Sequence, residues 1–140
     1  MSNDGAILAP DGTVLFSERE LACTMTHKIR LHDGFAEKLR ELRLAYGKPM
    51  KVTSCCRSAE HNRMVGGAAN SLHIWDQPAY EGQTGTLAID IACPDASERW
   101  ELAHLAMSLQ WSVGVPQKGR NFIHLDQRAA LGLPRVLFGY

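Results

Sequence analysis

Hydrophobic and polar residues alternate with two different periods along the chain, and the longer period predicts two main helices. In HDGFAEKLRELRLAYGKP the apolar residues recur at helical spacing, at Phe35, Leu39, Leu42 and Tyr46. This pattern predicts a helix that Asp33 caps and that ends at Gly47. The later segment SERWELAHLAMSLQ predicts a second helix, capped by Ser97.

Two shorter helices are indicated by their capping residues. Ser17 and Glu20 have the spacing of a capping box, which predicts a short helix after a loose N-terminal arm at residues 1–14. Ser58 begins a second short helix that ends at Gly66 and Gly67. Residues 68–85 are rich in polar residues and glycine, so we expect a loop there.

The shorter period, alternation of apolar and polar residues, predicts four strands. They are MKVTSCC, TLAIDIA, WSVGV and NFIHLDQR. Helices come first and strands later, with one helix between them, which favours an α+β fold with a mostly antiparallel sheet. Nothing in the sequence divides the chain, so we expect one domain over residues 1–140.

Two of these strands carry polar, metal-capable side chains opposite their apolar residues. Successive strand residues point to opposite faces. In LAIDI, Asp90 therefore points away from the leucine and the isoleucines, and in FIHLD, His124 and Asp126 share one face. His73 precedes the long polar loop and adds a second imidazole.

Two imidazoles and one carboxylate match the protein ligands of a catalytic zinc, which keeps one coordination position for water. The same residue types also have ordinary roles: a strand aspartate is often solvated or paired with a base, and a histidine is often a hydrogen-bonded polar residue. Because geometry decides between these roles, the pattern leaves both open.

Composition and charge exclude several classes of partner. The 140 residues include 15 basic and 15 acidic side chains, so no electrostatic patch indicates nucleic acid. No apolar run is long enough for membrane insertion, and the first residues lack the features of a signal peptide, so we expect a protein synthesised in the cytoplasm. We also expect the chain to be a monomer. The four cysteines lack paired CxxC spacing and are expected to be buried thiols.

Three segments, TSCCRSAEHNRMVGGAANSLH, GTLAIDI and NFIHLDQR, occur in this order. Together they resemble the motifs of the zinc D-alanyl-D-alanine carboxypeptidase family, which includes phage endolysins, vancomycin-resistance dipeptidases and cell-wall endopeptidases. The resemblance covers about residues 15–128 and rests on several ordered motifs, which makes it specific. It implies a fold of the hedgehog/D,D-peptidase type and zinc peptidase activity.

The resemblance also implies the site residues. His73, Asp90 and His124 would bind one Zn²⁺ per chain, and Arg57 would hold a substrate carboxylate or carbonyl. A guanidinium can bind a carboxylate through two parallel hydrogen bonds, which suits an enzyme that recognises peptide ends; a surface ion pair is the alternative. Ser54, Asn62 and Ser71 also fall on motif positions and are assigned to substrate binding or to support of the ligands. Trp75 lies on the loop after His73 and is expected to form a lid or a wall of the substrate site.

The chain departs from the family pattern at two places. Cys55 and Cys56 replace a Gly-Tyr pair, which raises the alternative that thiolates bind the metal. Residues 74–89, between the first two ligands, are longer than in the family motif, so IWDQPAYEGQTGTL resembles an inserted loop. We expect this loop to affect substrate choice and not zinc binding.

The catalytic base does not follow directly from the family pattern, because its usual position holds no carboxylate in this chain. Hydrolysis needs a carboxylate that accepts a proton from the attacking water, and the position where many members of the family carry it holds Asn121. Asp126 shares a strand face with His124, within roughly 7 Å along the strand, and is the predicted base. The alternative is that Asp126 orients His124, and Asp76 and Glu81 are further candidates for the base.

These observations predict a zinc metallopeptidase that hydrolyses peptide bonds in bacterial peptidoglycan. It would act as a carboxypeptidase or endopeptidase in cell wall degradation, as an endolysin does. A cytoplasmic D,D-dipeptidase is a second possibility within the same class. A peptidoglycan-binding or structural zinc module without hydrolytic activity is an alternative that Asn121 favours. A redox or thiolate site at Cys55 and Cys56 is a further alternative function.

Overall fold

The computed structural model describes residues 2–76, 80–117 and 119–140. The strands are β1 (Ile7–Leu8), β2 (Val14–Phe16), β3 (Val52–Ser54), β4 (Ala88–Ala92), β5 (Ser112–Val115), β6 (Phe122–Asp126) and β7 (Leu137–Gly139). The helices are α1 (Glu18–Leu21), α2 (Phe35–Tyr46), α3 (Ala59–Met64) and α4 (Ala96–Ser108), with a 3-10 turn at Arg128–Leu131. The predicted α+β class is confirmed.

The main sheet has five strands in the order β3-β4-β6-β5-β7. The first three pairings are antiparallel, and β5 and β7 are parallel. The sheet is therefore mostly antiparallel, as the order of elements predicts. β7 was not predicted; it lies at the edge of the sheet, beside β5.

Strand β4 lies in the centre of the molecule, and its two faces have different surroundings. Leu87, Ile89 and Ile91 are buried in the apolar core, together with α2 residues such as Phe35 and with Trp111, whose ring packs edge-on against Phe35. The opposite face carries Asp90, only 6% exposed. The predicted alternation is confirmed, but the face that carries Asp90 is not an open surface, because this residue is almost completely buried.

The N-terminal residues correct one prediction. Residues 1–14 were expected to form a loose arm, but β1 and β2 form an antiparallel hairpin. Ile7 and Phe16 are buried in the core, and Leu31 N–H donates to Asn3 O at 2.7 Å. The turn is fixed by Thr13 N–H, which donates to the Asp11 side chain, and the apolar residues hold the hairpin against the domain.

Two helix caps also differ from expectation, while two are confirmed. Ser17 forms the predicted capping box with Glu20, and Ser58 caps α3. α2 begins after Gly34, with φ of 88°, and Asp33 does not cap it; instead its carboxylate accepts a hydrogen bond from Asn3. α4 is capped by Asp95, whose carboxylate accepts from two backbone N–H groups, and not by Ser97.

Among the described residues, no helix has the length and apolar character needed to cross a membrane.

Candidate metal centre

One row of residues across the sheet forms the floor of the candidate site. Register pairs Ser54 with Asp90 and Asp90 with His124. Directly opposed residues of neighbouring strands share a face. Asp90 and His124, far apart in sequence, are therefore brought side by side by the antiparallel pairing of β4 and β6.

His73 reaches the same place from the loop after α3. A backbone bridge links Arg57 and Ile74: Arg57 N–H donates to His73 O at 3.0 Å, and Trp75 N–H donates to Arg57 O at 3.2 Å. The Thr86 hydroxyl also donates to His73 O, at 2.8 Å. These bonds fix the loop backbone on both sides of the imidazole, which is buried.

The three predicted ligands converge. His73 Nε2 lies 3.2 Å from Asp90 Oδ1, and His124 Nδ1 lies 3.0 Å from the same oxygen. The ligand atoms of the three residues all lie within 4.8 Å of one another, and His73 and Asp90 are buried. Such a group of two nitrogens and one oxygen could hold a metal ion.

The hydrogen bonds of the two rings leave one nitrogen of each for a metal. A carbonyl oxygen can only accept, so His73 Nδ1 donates to Cys55 O at 2.6 Å. A carboxylate also accepts, so His124 Nε2 donates to Asp126 Oδ2 at 2.8 Å. His73 Nε2, in the neutral ring, then has no hydrogen-bond partner although it is buried. A cation between this lone pair and the Asp90 carboxylate would satisfy both, so the residues fit a zinc ion.

The charges of the site follow from this packing. Burial lowers the pKa of His73, although Asp90 opposes the shift. Burial also disfavours charge on His124, but hydrogen bonds with Asp126 and Asp90 prevail and raise its pKa to about 9. Burial would raise the pKa of Asp90, yet the two histidines hold it well below the usual range. Without a metal, His124 therefore carries the positive charge that balances Asp90.

Asp126 is fully buried on the far side of the His124 ring from Asp90. Its Oδ2 accepts from His124 Nε2 and, at 2.7 Å, from Arg128 Nη2. Its Oδ1 accepts from Arg128 Nε and from the Arg128 backbone, both at 3.0 Å. Burial raises the pKa of Asp126, but the contacts with His124 and Arg128 lower it further than burial raises it. Both oxygens are occupied by donors.

Arg57 lies beside the ligands in a set of polar contacts. Its Nε donates to Ser54 Oγ at 3.0 Å, its Nη1 donates to Asn62 Oδ1 at 3.1 Å, and its Nη2 lies 3.6 Å from Asp90 Oδ2. The side chain is 14% exposed. A Cβ on Gly67 would overlap Asn62 Oδ1 and lie 3.1 Å from Arg57 Nη1, so this glycine is needed for the arrangement.

A cavity of about 780 Å³ opens over the ligands. Of the predicted substrate-binding residues, Arg57, Ser54 and Ser71 line it. Ser71 Oγ also accepts from His73 N–H at 3.2 Å. Asn62 is buried; its Oδ1 accepts a hydrogen bond from Arg57 Nη1, and its Nδ2 donates to the Ala68 carbonyl.

Trp75 differs from its predicted role as a wall of the substrate site. It is not among the described residues that line the cavity; its half-buried ring packs against the hydrophobic core. The Trp75 backbone N–H donates to Arg57 O at 3.2 Å, which holds this part of the loop beside Arg57.

The loop carboxylates and Asn121 are placed away from the ligands. Asp76 is exposed and accepts a hydrogen bond from Ala59 N–H, at the start of α3. Glu81 and Asn121 are exposed and do not line the cavity in the described structure. Residues 77–79 of the loop lie outside the described residues.

The cysteines are buried and free, as expected. In the described parts of the chain, the one group of metal-capable side chains contains none of them. Cys55 contributes to the site through its backbone carbonyl, on His73. Cys23 Sγ lies 3.2 Å from His61 Nδ1, a contact that the sequence does not indicate.

Several cavity residues were missed in the sequence, and four of them add charge or aromatic surface to the cavity. Arg128 and Arg120 add positive charge, while Phe138 and Tyr140 form an aromatic wall beside His124. The alternation in VLFGY could have indicated a strand with both aromatic side chains on one face. No local signal places that strand beside β5.

Comparison with known protein families shows a match over most of the chain. The family described as Peptidase M15 matches residues 14–126, which is most of the chain and includes all three ligands. Comparison with curated proteins gives no match.

Proposed function

Because the chain belongs to the peptidase M15 family, a zinc-dependent family of peptidases, we propose that it hydrolyses peptide bonds in bacterial peptidoglycan. The substrates would be stem peptides or their cross-links, cut by carboxypeptidase or endopeptidase action. The observation that carries the proposal is the group of His73, Asp90 and His124, in which His73 and Asp90 are buried and one nitrogen of His73 has no hydrogen-bond partner. A phage lysis role rests on the resemblance to endolysins and is part of the same proposal.

Each residue of the group has a distinct task in this proposal. His73, Asp90 and His124 would hold the ion through Nε2, a carboxylate oxygen and Nδ1. A bound zinc would polarise the scissile carbonyl and make a water molecule more acidic. The pairing of β4 with β6 and the bonds to His73 O hold the ligands in place before any metal arrives.

Arg57 would bind a carboxylate or carbonyl of the substrate. Ser54, Asn62 and Asp90 occupy part of its guanidinium and orient it, and an arginine has enough N–H groups to bind a ligand as well. The position next to the ligands would place a peptide end close to the bond that is cut. Ser54 and Asn62 then act mainly through Arg57.

Asp126 remains the predicted base, but its contacts support the alternative role better. Both oxygens accept hydrogen bonds from His124 and Arg128, and the residue is fully buried. We therefore favour Asp126 as a positioning residue that keeps the proton on His124 Nε2 and leaves Nδ1 for the metal.

A second candidate function is a peptidoglycan-binding or structural zinc module of the same fold. The observation in its favour is that Asp90 and Asp126 are the two carboxylates lining the cavity in the described structure. One is a predicted ligand and the other is bonded to Arg128. Asn121, at the family's usual acid position, has no carboxylate.

The test measures zinc per chain and the release of new amino groups from purified peptidoglycan and from free stem peptides. We expect one zinc and cleavage in the wild type, loss of both in His73→Ala, and no change in His104→Ala. His104 is a matched control because it is exposed and lies on α4. Asp126→Ala tests the base: intact zinc with no cleavage would assign the proton transfer to Asp126.

Two results would change the proposal. One zinc per chain with no cleavage of either substrate would favour the binding module. Absence of zinc from the wild type would show that residues 73, 90 and 124 do not form a metal centre.

A further inference from the structure

The row of residues that carries the site continues beyond His124 to the last strand. Register pairs His124 with Gly114 and Gly114 with Phe138. Ser54, Asp90, His124, Gly114 and Phe138 therefore lie in one line across all five strands. β7 lies outside the residues matched by the family, 14–126.

Gly114 allows Phe138 to lie against the site. A Cβ at Gly114 would be 2.6 Å from Phe138 Cζ, so the ring fills the space that this glycine leaves. The Phe138 ring lies 5.8 Å from the His124 ring, and the Arg128 guanidinium lies 5.1 Å from the Phe138 centroid. These contacts fix the ring next to the candidate metal centre.

Tyr140 is two residues further along and extends the same wall. Its N–H donates to Val115 O at 3.1 Å, which continues the pairing of β7 with β5. Its ring lies 5.7 Å from the Phe138 ring, 6.5 Å from His124 and 6.5 Å from Phe122. The side chain lines the cavity, and the residue remains 43% exposed.

The Tyr140 hydroxyl is available to a ligand. It forms no hydrogen bond with the residues that the structure describes, in contrast to the Tyr80 hydroxyl in the same cavity, which donates to Asn70 O. Burial raises the pKa of Tyr140 to about 12; Asp90 adds to this shift, and Arg120 and Arg57 oppose it. A phenol is protonated at neutral pH and can donate a hydrogen bond without carrying charge.

We propose that Tyr140 is a catalytic residue that donates a hydrogen bond from its hydroxyl to the oxygen of the scissile carbonyl, while Phe138 and Phe122 pack against the adjoining side chain of the substrate. The inference rests on the proposed peptidase function. The hydroxyl keeps its proton throughout, and the hydrogen bond strengthens as negative charge develops on the oxygen. Tyr140 would thus supply part of the stabilisation of the transition state from the position directly after β7, outside the matched segment.

The first test is Tyr140→Phe, with Tyr46→Phe as the matched control. Both changes remove one hydroxyl, but Tyr46 lies at the end of α2, away from the cavity. With a stem pentapeptide as substrate, we expect kcat to fall about 100-fold in Tyr140→Phe, with KM and zinc content close to wild type. Tyr46→Phe should match the wild type. An unchanged kcat, or a rise in KM alone, would overturn the proposal.

A binding test decides the question even if no peptide is cleaved. Acetohydroxamate, a zinc-chelating probe with an anionic oxygen, is titrated into the zinc-loaded wild type and both variants. We expect about 10-fold weaker binding to Tyr140→Phe only, because a hydrogen bond to a charged oxygen is lost. Equal affinities in all three proteins would overturn the role of Tyr140. Wild-type zinc binding without cleavage would count against the peptidase function separately.

Discussion

The two histidines of the candidate metal centre are held in different ways. His73 lies in a loop, and its Nδ1 donates to a backbone carbonyl, that of Cys55. His124 lies in the sheet, and its Nε2 donates to a side chain, that of Asp126, which Arg128 holds in turn. The first orientation depends on the path of the backbone, whereas the second depends on two side chains that substitution can remove.

His73 and His124 also differ in charge when no metal is bound. His73 faces one carboxylate from a fully buried position, and its pKa is lowered. His124 lies between two carboxylates, and its pKa is raised to about 9. In the metal-free site, His73 therefore resists protonation, whereas His124 retains its proton.

The largest effect that we expect is on the pH dependence of stability in the metal-free protein. The folded pKa of His124, about 9, exceeds the ordinary value, so its contribution, on the order of 3 kcal/mol, is complete below about pH 6.5 and is lost as pH rises through 9. The lowered pKa of His73 has the opposite sign: its contribution is present above about pH 6.5 and is lost on acidification.

Urea unfolding of the wild type, His124→Gln and His73→Gln measures both contributions. The free energy of unfolding of the wild type should decrease between about pH 6.5 and 9, and His124→Gln should lose this slope. His73→Gln should lose the part of the decrease in the free energy of unfolding that begins just below about pH 6.5. The decrease at lower pH that comes from protonation of Asp90 and Asp126 should remain. Identical pH profiles for all three proteins would show that the two rings do not differ in charge.

The next effect is on zinc affinity. Asp126→Asn removes the charge that holds His124 and leaves Arg128 without its partner, so we expect affinity to fall about 10–100-fold. Competition with a chromophoric chelator measures it, and Glu101→Gln, an acid-to-amide change at an exposed position of α4, is the control. Wild-type affinity in Asp126→Asn would contradict the positioning role.

The smallest effect on zinc affinity is expected from substitution of Cys55, whose backbone carbonyl accepts the hydrogen bond from His73. Cys55→Ala keeps the backbone carbonyl that accepts from Nδ1, so zinc affinity should stay within about 2-fold of wild type, in contrast to the change at Asp126. Cys56→Ala is the neighbouring control. A large loss of zinc in Cys55→Ala alone would instead support the thiolate alternative.

The sequence contains enough information to identify the strand positions of the site. Alternation placed Asp90 opposite the apolar residues of β4 and put His124 and Asp126 on one face, and antiparallel pairing then brought Asp90 and His124 together. His73 was added from its place before the long polar loop, and the motif resemblance implied that it is a ligand. Its approach to the site depends on a backbone bridge between residues 57 and 74. Such a bridge has no period and no local signature.

Other parts of the fold depended on competition between neighbouring residues. Asp95 and Ser97 both can cap a helix, and the backbone bonds of Asp95 decided the start of α4.

The hairpin of β1 and β2 was missed although the PDG turn indicates it, because its strands are only two and three residues long. Trp75 packs against the hydrophobic core, a tertiary contact that the polar residues around it in the sequence do not indicate.

The position of β7 at the sheet edge has a consequence for motion. In the part of the chain that the structure describes, β7 pairs with β5 alone, while β4 and β6 each have two neighbouring strands. Short edge strands open locally at a lower free energy than central ones. The amides of β7 should therefore exchange with solvent before those of β4 and β6, and the aromatic wall of the cavity can open while the ligand-bearing strands stay folded.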